Sequence, residues 1–165
     1  MSNNVNQSQT DSILVSRKTK ETDIEVSLNI DGKQSINIST GIGFLDHMIH
    51  QLASHARWDL NLTVNGDLHI DDHHSVEDIA ICLGEALQKS WRQRKTMQRY
   101  DQRLLPMDEA LIMCAVDLSG RGIYVGELDF TRENIGNMST EMFEHFFQTL
   151  ATSAAITLHL KPMYY

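Results

Sequence analysis

The stretches DHMIHQLASHARWDLNL, residues 46–62, and EHFFQTLATSAAITLHL, residues 144–160, decide the fold, because one pattern is written twice. Laid on each other without a gap, His47 on His145, they share six identities in seventeen positions, and an acid precedes each histidine as Asp46 and Glu144. In the first, Leu52, Ala53 and Ala56 lead to Leu60 and Leu62; in the second, Leu150, Ala151 and Ala154 lead to Leu158 and Leu160. A period of 3.6 that gives way to a period of 2 is a helix followed by a strand. Such a unit recurring at a fixed offset marks an internal repeat.

Working outward, residues 13–30 read as two strands around a turn at Lys18–Glu21, with Ile24, Val26, Leu28 and Ile30 alternating. The helix Phe44–Ala56 places Leu45, Met48, Leu52 and Ala56 on an apolar face and His47, His50, Gln51, Ser54 and His55 on a polar one. Trp58, Leu60, Leu62 and Val64 form a strand, and a helix from about His73 to Trp91 directs Ile79, Cys82, Leu83, Ala86, Leu87 and Ser90 to the core. This first repeat spans about residues 13–92. A basic connector, Trp91–Arg103, leads to a second, incomplete repeat over about 104–165: strands Leu111–Leu118 and Ile123–Phe130, a helix from about Thr140 to Ala154, and the strand around Ile156, Leu158 and Leu160. The expectation is a duplicated two-layer α+β sandwich whose second repeat lacks its last helix and leaves part of a sheet uncovered.

Composition narrows the function classes. A formal charge of −8 with no basic run argues against a nucleic-acid partner, and no apolar stretch approaches the length of about 20 residues that spans a bilayer. Residues 1–12 are polar and read as a loose tail, unlike a signal or transit peptide. Cys82 and Cys114 each sit in an apolar run and read as buried free thiols, as expected in a reducing cytoplasm.

The chemistry concentrates in Asp71-Asp72-His73-His74-Ser75-Val76-Glu77. On a helix, Glu77 is a neighbour of both His73 and His74, at spacings of four and three. Adjacent side chains diverge by about 100°, so the two imidazoles serve two metals more naturally than one. Imidazole and carboxylate without a nearby thiol suit Mn, Fe, Co, Ni or Zn. The plainer alternative is a polar helix start with Asp71 or Asp72 as N-cap and solvated histidines.

Taken together, Gly41-Ile-Gly-Phe-Leu-Asp-His-Met, Asp71-Asp-His-His-Ser-Val-Glu-Asp-Ile-Ala, Asp117-Leu-Ser-Gly-Arg and Glu144-His-Phe-Phe resemble the imidazoleglycerol-phosphate dehydratase family in order and approximate spacing. The resemblance implies a fold of the ribosomal protein S5 domain 2-like type. It implies a hydro-lyase of histidine biosynthesis that converts D-erythro-imidazoleglycerol phosphate to imidazole-acetol phosphate through a metal-stabilised imidazolate. It further implies two Mn2+ per active site and a homo-oligomer of 24 subunits with shared sites. Matched by position, the metal ligands are His47, His73, His74, Glu77 and His145. Glu21, His47, Gln51, His55, His73, Glu77, Arg99 and Arg121 match substrate-contacting positions, and Glu21 and Glu77 are the candidate catalytic carboxylates. The family's second His-His-x-x-Glu would fall near position 171, past Tyr165, so this chain alone is expected to turn over poorly. The alternative is a truncated, non-catalytic relative that keeps a partial metal-binding or assembly role.

Overall fold

Alternation builds the first sheet: in Thr22–Asn29 the side chains of Thr22, Ile24, Val26 and Leu28 are buried while Asp23 and Glu25 face solvent. The computed structural model describes residues 12–164, so residues 1–11 of the expected tail lie outside the described residues. In chain order the elements are β1 (Ile13–Lys18), β2 (Thr22–Asn29), β3 (Ile36–Ser39), α1 (Gly43–Ala56), β4 (Asp59–Gly66), α2 (His73–Arg92), β5 (Tyr100–Met107), β6 (Ala110–Asp117), β7 (Ile123–Gly126), β8 (Asn134–Ile135), β9 (Met138–Ser139), α3 (Glu141–Ala154) and β10 (Thr157–Tyr164).

The repeat is visible as topology. One four-stranded sheet runs β1-β2-β4-β3 and the other β5-β6-β10-β7. In each, three strands pair antiparallel and the fourth joins parallel, reached through a helix. The helices α1 and α3 end alike. Arg57 and Ala155 both take left-handed backbone at φ 58° and 53°, and Trp58 N–H and Ile156 N–H return to the carbonyls of Ala53 and Ala151 at 2.9 and 3.0 Å. These are Schellman closures. They turn each chain from helix into strand within two residues, which makes β4 and β10 begin at equivalent places.

The core lies between α2 and the first sheet and continues into the contact of α2 with α3. Gly84 allows that contact: a Cβ there would lie 2.6 Å from Ser153 Cβ and 2.9 Å from the Leu150 carbonyl oxygen. Further along α2, the Trp91 indole N–H donates to the Ala154 carbonyl at 2.9 Å. Asp78, buried under the first sheet's edge, accepts from Arg17 Nε at 2.7 Å and Thr22 Oγ1 at 2.5 Å, so its charge is paired and hydrogen-bonded.

Several expectations are corrected. The core row of α1 is Leu45, Ile49 and Ala53, while Met48 and Leu52 remain 36% and 40% exposed. Both rows satisfy helical spacing, and only the position of the sheet selects one. β3 was not anticipated, because four residues offer too little alternation, and β5 occupies part of the expected connector and its sequel. The strand expected over Ile123–Phe130 stops at Gly126. Exposed large apolar side chains gather on the second sheet, among them Leu104, Leu105, Met107 and Val125, with Leu104 and Leu105 on opposite faces of β5. Cys82 and Cys114 are free thiols; Cys82 is buried and Cys114 half-buried.

Two measurements follow from this packing. Gly84→Ala gains helix propensity of about 1 kcal/mol but drives a methyl into the α3 backbone, so denaturant unfolding should show a net loss of about 1–3 kcal/mol. Burial pushes the Cys82 thiol up to about 12, which leaves roughly one molecule in 10⁴ as thiolate at pH 8. Native Cys82 should therefore resist iodoacetamide at pH 8 and react only on unfolding, as read by mass spectrometry.

Candidate metal centre

The chain leaves β4 at Gly66 and enters α2 at His73, with two acids setting the entry. Asp71 Oδ1 accepts the His73 N–H at 3.0 Å. Asp72 is buried and accepts from the Ser139 N–H at 2.6 Å and the Ser139 hydroxyl at 3.0 Å, which clamps the start of α2 to β9 just ahead of α3. The acids of the motif therefore fix the helix, and the histidines and Glu77 are left for a ligand.

One turn into α2, Glu77 meets α3. His145 Nε2 and Glu77 Oε1 are 3.2 Å apart, and the rings of His73 and His145 stand 4.8 Å apart with a tilt of 35°. One ligand atom from each of His73, Glu77 and His145 lies within 4.8 Å of the others. Donors on one ion with bonds of about 2.0–2.2 Å are at most about 4.4 Å apart, so small side-chain adjustments close the set. Two imidazoles and one carboxylate, with no thiolate, fit a divalent ion of the Mn-to-Zn series. Glu144, which precedes His145, is used differently: its Oε1 accepts the Leu128 N–H at 2.9 Å, as Asp46 accepts from the Thr40 N–H at 2.9 Å in the first repeat. Each acid of the repeated pair holds the loop before its helix.

His74 turns away from this cluster. Its ring is 6.1 Å from that of His73 and nearly perpendicular to it, at 85°. Its Nδ1 lies 3.0 Å from Asp67 Oδ2. That hydrogen bond, aided by the charges of Asp67, Asp71 and Glu21, raises the His74 imidazolium above its ordinary range. His47, Gln51 and His55 stand on the exposed face of α1, outside the cluster of three. Glu21 is exposed in the β1–β2 turn, within electrostatic reach of His74. Arg99 grips Asp117 with two bonds, Nε at 2.8 Å and Nη2 at 3.1 Å, and Arg121 adds its charge beside the same carboxylate, which is held below the usual range. Asp67 and Asp117 were not singled out as site residues in the sequence, where each is one acid among 22. The signals available were that Asp67 lies within eight residues of His73 and His74 and that Asp117 opens the motif that ends at Arg121.

A family model described as imidazoleglycerol-phosphate dehydratase matches residues 40–165. The chain belongs to the imidazoleglycerol-phosphate dehydratase family. It is 50% identical over 150 residues to the imidazoleglycerol-phosphate dehydratase of Acetivibrio thermocellus, covering 91% of this chain and 77% of that one. It is 51% identical over 150 residues to that of Methylobacterium radiotolerans, with the same two coverages. The crystal structure of imidazoleglycerol-phosphate dehydratase from Staphylococcus aureus superposes with a TM-score of 0.83 at 31% identity, covering 93% of this chain and 85% of that chain. The Pyrococcus furiosus enzyme, solved in complex with (S)-C348, gives 0.76 at 29% identity over 92% and 80% of the two chains. The family's hydro-lyase activity and its place in histidine biosynthesis come with membership, and the mixed α+β architecture of two four-stranded sheets and three helices among the described residues matches its structures. No helix of the described residues is long and apolar enough to cross a membrane.

The clamp between α2 and β9 can be tested apart from the ligands. Asp72→Ala strips the acceptor from a part-buried backbone N–H, for which a loss of about 1–3 kcal/mol is expected in denaturant unfolding. It should also loosen metal uptake, since α2 and α3 would no longer be held in register at the cluster.

Proposed function

We propose that this chain dehydrates D-erythro-imidazoleglycerol phosphate to imidazole-acetol phosphate at a manganese centre, with His47, His73, His74, Glu77 and His145 as ligands. The observation that carries the reading is the convergence of His73, Glu77 and His145 from the helices of two different repeats. A bound divalent ion supplies Lewis-acid charge that stabilises the substrate's imidazole as its proton is lost. Arg99 and Arg121 bind the phosphate, for which two guanidinium groups provide fixed, charge-assisted donors. Gln51 and His55 line the substrate from the polar face of α1.

Overall, hydroxide leaves from the carbon attached to the ring and a proton leaves from the next carbon. The resulting enol ketonises, so one water is the only other product. Glu77 is engaged with His145 and serves chiefly as a ligand, whereas Glu21 is exposed, free of the cluster and close to His74; Glu21 is therefore the better proton acceptor. His74 turns away from the cluster and His47 is exposed, which supports two ions and sites completed between subunits; a cytoplasmic assembly of 24 subunits is what the family resemblance adds. Three donors fall short of a full manganese shell, so a lone protomer should turn over poorly.

Glu21→Gln should lower kcat by about 10²–10⁴ and leave Mn2+ affinity unchanged. Glu77→Gln should weaken Mn2+ binding by about 10- to 100-fold. Wild-type turnover by the Glu21 variant would remove it as the base, and turnover that survives exhaustive chelation would remove the metal reading altogether.

A further inference from the structure

We propose that Asp67 is the positioning residue for His74, holding its ring by Nδ1 so that Nε2 is presented to a metal ion. The proposal rests on the reading of His74 as a ligand and adds to it a residue outside the ligand set. Asp67 Oδ2 lies 3.0 Å from His74 Nδ1. A carboxylate has no proton to give, so the bond requires Nδ1–H as donor, and in the neutral ring this leaves the lone pair on Nε2. Metal-binding imidazoles are commonly oriented in this way by a carboxylate on the second nitrogen.

The mount is rigid. Asp67 directly follows β4, whose last residue, Gly66, pairs with Thr22 of β2, and the Thr22 hydroxyl is bonded to Asp78 of α2. His74 occupies the first turn of that same helix. The backbones of donor and acceptor thus belong to one interlocked unit of sheet and helix, and the bond to Asp67 is what keeps the ring from turning.

A second observation points to a cation. The Asp67 side chain is only 16% exposed, and among the described residues His74 is its one ion-pair partner. Its other oxygen, Oδ1, is buried with no hydrogen-bond partner. A buried carboxylate with one unsatisfied oxygen is costly unless positive charge stands nearby; the His74 imidazolium supplies it in the metal-free protein, and an ion that displaces the Nε2 proton would supply it in its place. By contrast His145 is oriented by Glu77, which is itself in the cluster. The two carboxylates therefore do different work: one shares the ion, the other aims a ligand.

The test compares Mn2+ binding, by calorimetry and by loss of the free-ion resonance signal, in wild type, Asp67→Asn, His74→Ala and the double variant. Asp67→Asn should weaken Mn2+ binding by about 10- to 100-fold with little change in metal-free melting temperature. The double variant should bind no worse than His74→Ala alone. In the metal-free protein at alkaline pH, ¹⁵N spectra of labelled histidine should show His74 as the Nδ1–H tautomer, a preference that Asp67→Asn reduces. If His74→Ala weakens binding and Asp67→Asn stays within about twofold of wild type, the positioning role is overturned and the ligand reading stands. If His74→Ala leaves binding unchanged, the ligand reading itself has failed, and the positioning role falls with it. Should Asp67→Asn not fold, the wild-type spectrum decides, with an Nε2–H tautomer overturning the proposal.

Discussion

The close approach of α2 and α3 at Gly84 is the contact on which the remainder depends. With no side chain there, the α3 backbone around Leu150 and Ala154 comes within van der Waals range of α2. Two polar ties then set the register along the pair: Asp72 to Ser139 at one end and the Trp91 indole to the Ala154 carbonyl at the other. A helix pair pinned at both ends and packed at glycine has little freedom to slide. His73 and Glu77 on one helix are therefore held opposite His145 on the other.

Duplication explains why the site lies at this seam. Each repeat contributes a helix that starts with an acid and a histidine, Asp46-His47 on α1 and Glu144-His145 on α3. In both, the acid accepts a backbone N–H from the segment before the helix and leaves the histidine free of that contact. The first repeat then adds α2, whose opening turn carries two histidines. His73 faces the seam and His74 faces Asp67, because adjacent helical side chains diverge. Carboxylates sort by burial and partner: Asp78 is spent on Arg17 and Thr22 and ties the helix to the sheet, while Glu77, next to it, points to His145.

The strands and helices with strong periodicity were legible from residues alone, and so was the repeat. β2 and the second half of α2 read as they stand because every second or every third-to-fourth residue is apolar. The spacing of α1 admits two rows, since Leu45 belongs equally to the row with Met48 and Leu52 and to the row with Ile49 and Ala53, and only the sheet selects the second. β3 escaped because four residues are too short a run to read, and β5 because it is an edge strand exposed along its whole length, so burial imposed no pattern on it. The role of Asp67, and the Arg99 partner of the motif residue Asp117, escaped for a different reason. A carboxylate that aims a histidine or an arginine carries no spacing rule, because the bond is made across a loop or between strands.

By itself, the sequence determined the architecture class, the duplication, the family and the residue types of the centre, since periodicity and ordered motifs are properties of the chain. Only the tertiary structure decided which donors meet: His73, Glu77 and His145 in one cluster, His74 with Asp67, Arg99 with Asp117. The physical reason is that these contacts are distances between separate elements. They depend on how closely two helices pack and which way each turn faces, and in this chain a glycine and two polar ties set both.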